Sequence, residues 1–192
     1  MEKFLGKKNI AVFISGRGSN LKSLINYSKK KNSLIKIMLV ISNNTNAKGL
    51  KIANSFKIKN YAIKFKNRSI FEKQSLKLMK KYNIDMICLA GFMKIVSGNF
   101  IKKFANPILN IHPSLLPKYK GLNTHQRTID NKEKYSGFTV HLVNKKLDSG
   151  KIIFQKKLKI FINDTANILE KRIRKFENKH YPLVLSKYVA NL

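Results

Sequence analysis

The sequence predicts an α/β protein: a doubly wound, mostly parallel sheet with antiparallel strands toward the C-terminus. Three observations carry that expectation. Apolar runs alternate with segments of helical period from residue 9 to residue 112. The runs are apolar almost throughout, as strands covered on both faces are. After residue 137 the pattern changes to two runs joined by a turn.

The elements follow in order. NIAVFIS (9–15) is a strand that closes at a glycine, and SNLKSLINYSKK (19–30) sets Leu21, Leu24 and Ile25 on one helical face. LIKIMLVIS (34–42) is a second strand, AKGLKIANSFK (47–57) a second helix and YAIKF (61–65) a third strand. SIFEKQSLKLMKKY (69–82) is a helix with Phe71, Leu78 and Met79 inward, and DMICLAG (85–91) a fourth strand. NFIKKFA (99–105) is a short helix and PILNIH (107–112) a fifth strand. This βαβαβαβαβ order implies parallel strands with helices on both faces. FTVHLV (138–143) and IIFQKKLKI (152–160), joined across NKKLDSG, read as an antiparallel pair. Asp164-Thr165 caps a last helix, 165–177 or longer. No linker or repeat interrupts the pattern, so 1–192 is expected to form one domain.

Composition narrows the function classes. The apolar runs fall well short of the ~20 residues a bilayer span needs, and MEKFLGKKN lacks a signal-peptide core; a cytoplasmic protein without membrane contact is expected. Cys88 is the single cysteine, which excludes an internal disulfide and a cysteine-built zinc site; it reads as a buried, inert thiol. The net charge of +31 suggests a polyanion partner when taken alone. The excess is scattered lysine, with no block longer than KKK at 29–31 and no RNA-binding aromatic signature. A diffuse solvated surface is the expectation, and nucleic acid is not an expected partner.

Two motifs carry chemistry. ISGRGSNL (14–21) joins the first strand to the first helix. Gly16 and Gly18 allow a tight turn, and Ser19 and Asn20 stand where a helix begins, so its amides favour an anion. Leu21 occupies the place of the third glycine of a dinucleotide fingerprint, so a phosphate monoester fits better than a pyrophosphate. On spacing alone, a glycine turn with a Ser/Asn cap explains the motif equally well. The second motif is ILNIHPSLLPKYKG (108–121). Asn110 and His112 are two apart on a strand, so both side chains point to one side, and Pro113 keeps His112 extended. Ligands of doubly wound sheets sit beyond the carboxyl ends of the strands, where both motifs fall. An imidazole trades protons near neutral pH, and an amide holds an oxyanion. Asp148, in the LDSG turn, could fold back to orient His112. The plainer readings are a satisfied strand end, a polar loop histidine and an ordinary DSG turn. His141, on FTVHLV, reads as a sheet residue rather than a proton carrier.

ISGRGSNL, LAGFMKIV, LNIHPSLLPKYKGLNTH and LDSG, in that order, resemble the folate-dependent phosphoribosylglycinamide formyltransferases over about residues 9 to 188. The resemblance implies a Rossmann-like formyltransferase fold. It implies direct transfer of a formyl group from 10-formyltetrahydrofolate, as co-substrate, to the amine of 5'-phosphoribosylglycinamide, in purine (IMP) biosynthesis and without a metal. Gly18, Ser19 and Asn20 would hold the nucleotide phosphate and Glu177 the ribose side. Arg68 would meet the folate tail. Met93, Lys94, Ile95 and Val96 would line the folate cleft, with Asn110, and the loop Asn144, Lys145, Lys146, Leu147 and Asp148 would enclose the pterin. Asn110, His112 and Asp148 would be the catalytic trio. A monomer or weak homodimer is expected. The chain departs from the family pattern in several places: Lys94 stands where arginine is common, Arg174 where a polar amide is usual, and Arg17 and Lys120 at less basic spots.

Two related enzymes share the trio. Methionyl-tRNA formyltransferase needs a C-terminal tRNA domain, and formyltetrahydrofolate hydrolase carries an N-terminal regulatory one; this chain is expected to have neither. A basic nucleic-acid-binding module without activity is the remaining reading, and the intact Asn–His–Asp set argues against it.

Overall fold

The continuous apolar runs become the centre of one sheet. The computed structural model describes residues 6–192. The elements are β1 (Lys8–Ile14), α1 (Ser19–Ser28), β2 (Ile35–Ser42), α2 (Lys48–Ser55), β3 (Lys59–Ala62), α3 (Arg68–Lys81), β4 (Met86–Leu89), α4 (Gly98–Phe104), β5 (Ile108–His112), α5 (Thr124–Asp130), β6 (Tyr135–Leu142), β7 (Ile152–Lys159) and α6 (Ala166–Ala190). The seven strands lie in the order β3-β2-β1-β4-β5-β6-β7. Pairing is parallel from β3 to β5 and antiparallel from β5 to β7. The order reverses direction beside β1, and that switch point opens a crevice at the strand ends.

Alternation along β1 divides the core. Ile10, Val12 and Ile14 face one side with Leu21 and Leu24 of α1, Ala53 of α2, and Leu169, Ile173 and Tyr181 of α6. Ala11 and Phe13 face the other, with Phe71 and Met79 of α3 and Phe100 and Phe104 of α4. Phe13 meets Phe71 and Phe100 at centroid distances of 6.0 and 6.2 Å. Each such fully buried side chain contributes roughly 1.5–3 kcal/mol. The Tyr181 hydroxyl, fully buried, lies 3.1 Å from both the Leu89 and Leu109 carbonyls and fastens α6 beneath the ends of β4 and β5. Cys88 is buried in the same layer, and burial pushes its thiol up to about 12, which keeps it from acting as a thiolate at neutral pH.

Two strands and one short helix depart from the expectation. β3 covers Lys59–Ala62 rather than 61–65; its pairing partner is the end of β2, so register rather than hydropathy sets its length. β6 starts at Tyr135, three residues before the apolar run, because its polar start pairs with Lys159 of β7. α6 takes the longer extent the sequence allowed, running to Ala190 through Pro182. The seven-residue α5 was not anticipated; it buries only Thr124 and Thr128 and has no apolar stripe to reveal it. No helix among the described residues is long and apolar enough to cross a membrane.

Candidate active site

The glycine loop leaves β1 at Ile14 and enters α1 at Ser19. Gly18 has φ +78°, and a Cβ there would stand 2.6 Å from the Gly49 Cα. Gly49 N–H in turn donates to the Gly16 carbonyl at 3.0 Å, so the loop is pressed flush against the start of α2. No side chain caps α1 and no acidic residue stands in its first turn, so its leading amides are available to an anion. Asn20 Nδ2 donates to Glu177 Oε2 of α6 at 3.0 Å. Burial pushes the Glu177 carboxyl up to about 7, against the opposing pull of Asn20 and Arg174. The buried Oδ1 of Asn20 has no hydrogen-bond partner among the described residues.

Asn110 and His112 lie at the carboxyl end of β5, paired across to His141 and Thr139 of β6. His112 Nε2 lies 2.9 Å from the Tyr119 carbonyl. A carbonyl only accepts, so that nitrogen carries a proton. His112 Nδ1 faces Asp148 Oδ2 at 3.4 Å. One acceptor for each ring nitrogen is the arrangement an imidazolium needs. Burial pulls the pKa of His112 below its ordinary value, while the Tyr119 carbonyl and Asp148 work against that fall. For Asp148, burial acts to raise the pKa; the His141 ring, the Gly121 N–H at 2.9 Å and His112 outweigh it, and the carboxyl ends below its usual range. Asp148 is therefore charged at neutral pH.

His141 joins this cluster. Its Nδ1 donates to the Leu142 carbonyl at 2.9 Å, and its Nε2 lies 3.1 Å from Asn110 Nδ2 and 3.6 Å from Asp148 Oδ1. The neutral ring's Nε2 is then an acceptor that draws the NH₂ end of the Asn110 amide toward itself and leaves that group's second N–H to the cleft, whereas only the charged ring's Nε2–H donates to Asp148 Oδ1. His141 is a sheet residue as read from the sequence, but its ring also stands between Asn110 and Asp148. Nothing in FTVHLV signals this; only the antiparallel register of β5 and β6 brings it there.

The third wall is the segment after β4. Met93 N–H donates to Ser15 Oγ at 2.7 Å, and Ser97 N–H and Oγ reach the buried Glu72 carboxylate at 2.6 and 2.7 Å. These anchors fix a strip on which Met93 and Ile95 are exposed and Val96 is buried. Lys94 Nζ sits 5.3 Å from the centre of the Phe65 ring. Opposite, the loop of 144–148 is turned back on itself by Asn144, whose Oδ1 accepts from Lys146 N–H at 2.9 Å.

Together these segments enclose a cavity of about 880 Å³. Gly18, Ser19, Asn20, Met93, Lys94, Ile95, Val96, Asn110, His112, Asn144, Lys145, Lys146, Leu147, Asp148 and Glu177 all line it. Arg68 does not: it opens α3 with its side chain exposed, away from the cavity wall. Sequence reasoning missed His125 and Glu170, both of which line the cavity. The arrangement can hold an anion at one end and a flat apolar group at the other, with a proton carrier, an amide donor and a carboxylate between them.

The formyl transferase family profile matches residues 8–185. A phosphoribosylglycinamide formyltransferase of Haemophilus influenzae is 42% identical over 181 residues, which cover 93% of this chain and 85% of that protein. The trifunctional purine biosynthetic protein adenosine-3 of Gallus gallus is 41% identical over 182 residues, but the chain spans only 18% of its length. The crystal structure of phosphoribosylglycinamide formyltransferase from Brucella melitensis superposes with a TM-score of 0.90 at 39% identity, covering 97% of each chain.

Proposed function

The chain belongs to the formyl transferase family, and from that premise we propose that it transfers the formyl group of 10-formyltetrahydrofolate to the amine of 5'-phosphoribosylglycinamide, a step of purine biosynthesis. The observation that carries the reading is the meeting, in one cavity, of the anion-ready end of α1, the Asn110–His112–Asp148 cluster and the apolar strip of 93–96. The relatives named for this reaction support it over the tRNA and hydrolase readings.

The nucleotide phosphate sits on the amides of Gly18, Ser19 and Asn20, with Glu177 and the unpartnered Asn20 Oδ1 taking hydroxyl or amine protons of the sugar side. The pterin lies between the 93–96 strip and the 144–148 loop, and Lys94 takes the acidic tail. A single ammonium gives that tail a point charge rather than a bidentate fork. Arg68, outside the cavity wall, is left for the far end of an extended tail.

In the reaction the substrate amine attacks the formyl carbon, a C–N bond forms, and the carbonyl oxygen takes up negative charge. The free N–H of Asn110 and the His112 imidazolium stabilise that oxygen. Asp148 holds the charged His112 against the cost of its burial. The bond from the formyl carbon to the folate nitrogen then breaks. The proton lost by the attacking amine passes to the leaving nitrogen through this cluster, so charge and protons balance. His112 works as a proton carrier only when the Tyr119 carbonyl, 2.9 Å from its Nε2, moves aside or hands over its hydrogen bond.

The chain acts as one formyltransferase domain in the cytoplasm. The test is a spectrophotometric assay with 10-formyl-5,8-dideazafolate. Formyl loss that requires glycinamide ribonucleotide is the expected result. Loss without the nucleotide makes the chain a hydrolase, and no loss from the folded protein removes the reading.

A further inference from the structure

We propose that Glu170 is an internal stand-in for the nucleotide phosphate, and that Arg17 exchanges one for the other as substrate enters. This rests on reading the glycine loop as the seat of a phosphate monoester. Glu170 lies on the first turns of α6 and lines the cavity with Arg17 and Arg174. Its Oε1 is 2.7 Å from Arg174 Nη1 and 3.4 Å from Arg17 Nη1. One carboxylate thus answers two guanidiniums, and one positive charge is left over.

The two arginines are held differently. Arg174 is one helical turn beyond Glu170, at short range, with its side chain 27% exposed. Arg17 comes from the loop, at longer range, with its side chain 69% exposed. The backbone beneath Arg17 is fixed, since Gly16 and Gly18 on either side of it are both pressed against Gly49. Only the side chain can swing, and it pivots next to the Gly18–Asn20 amides. A monoester phosphate brings close to two negative charges and three strong acceptors at neutral pH, against the single charge of Glu170. It also suits the planar fork of arginine. Arg17 therefore leaves Glu170 for the phosphate, while Arg174 keeps its short contact.

Glu170 is then a competitor of the substrate. It weakens phosphate binding and, by occupying Arg17, screens out singly charged anions more than dianionic ones. The exchange predicts an unusual sign: loss of this acidic residue tightens binding.

The test is calorimetric titration of the full chain with ribose 5-phosphate, with ribose as the uncharged control. Glu170→Gln should tighten ribose 5-phosphate about two- to fivefold, the size an exposed ion pair supports. Arg17→Ala should weaken it by at least as much. In the double variant the Glu170→Gln gain should vanish, because the carboxylate acts through Arg17. Unchanged or weaker binding in Glu170→Gln overturns the exchange, as does a gain that persists without Arg17 or an absence of ribose 5-phosphate binding. Circular dichroism checks that each variant is folded, and Glu170→Ala repeats the test with a second side chain. The formyl-transfer assay is read separately. Transfer without tightening removes the exchange alone. Tightening in a chain that does not formylate the nucleotide supports the exchange and removes the proposed reaction.

Discussion

The two ends of the cavity are built from different materials. At the proposed nucleotide end the groups offered to a ligand are largely backbone: the amides of 18–20, a positive-φ glycine and a loop packed on Gly49. At the proposed transfer end they are side chains, with Asn110, His112, His141 and Asp148 clustered across β5, β6 and the following loop. A backbone site is insensitive to most substitutions but is weakened when a Cβ is added. A side-chain site fails residue by residue, and its members depend on each other's charge.

The largest expected effect tests the transfer end. His112→Ala should lower kcat by roughly 10²–10⁴-fold, the range of an acid–base and oxyanion role, with KM for either substrate moving little. Near-wild-type turnover in the folded variant would falsify the role of His112. Next in size, Asp148→Asn removes the charge that opposes the burial-driven fall of the His112 pKa. That pKa drops further, so the imidazolium is lost at lower pH. The limb of kcat that falls with rising pH should move toward acid, with about 10–10²-fold loss near neutrality. A pH profile superimposable on wild type would mean that Asp148 does not govern His112.

The nucleotide end gives smaller effects. The Glu177 carboxyl, pushed up to about 7, is raised above its unfolded value, so the folded chain keeps a proton that the unfolded chain releases. That contribution is complete below the unfolded pKa and is lost as pH rises through about 7. Wild-type stability should fall by about 2 kcal/mol between pH 5 and pH 8 on this account, estimated at 1.36 kcal/mol per pKa unit. Glu177→Gln should flatten that slope in denaturant titrations while weakening nucleotide binding. A slope left intact would place the titration elsewhere. Smallest of all, Gly18→Ala forces a side chain into a φ of +78° against Gly49. It should cost about 1–2 kcal/mol, seen as roughly a tenfold rise in KM for the nucleotide with KM for the folate steady. Equal shifts in both would dissolve the distinction between the two ends.

Much of this contrast was legible beforehand, and unevenly. Elements held by burial, such as β1 with its run from Ile10 to Ile14, announce themselves because both faces must be apolar. α5 does not, since Thr124 and Thr128 bury a hydroxyl face with no periodic apolar signal. At the site, Asn110 and His112 share a side by strand geometry alone. Asp148 reads from the sequence either as an ordinary turn residue or as a carboxylate that folds back onto His112; its φ of +44° and its bond from Gly121 N–H arise from long-range packing. His141 was placed on its strand but not in the cluster, because the register that sets it opposite Asn110 depends on how β6 returns. The Glu170 network was invisible for the same reason: Arg17 and Glu170 come from opposite ends of the chain.

The bond from Asn20 to Glu177 closes a span of 157 residues. During synthesis, then, all the residues between Asn20 and Glu177 have to be made before both walls of the proposed nucleotide seat exist, even though the glycine loop is made long before α6. A product cut short after β7 would contain the sequence of every strand, yet have no Glu177 beside Asn20, no Tyr181 beneath the strand ends and no α6 to cover that side of the sheet. Such a fragment would leave the apolar α6 face of the sheet open to water, so an early stop yields an inert chain rather than a partial transferase.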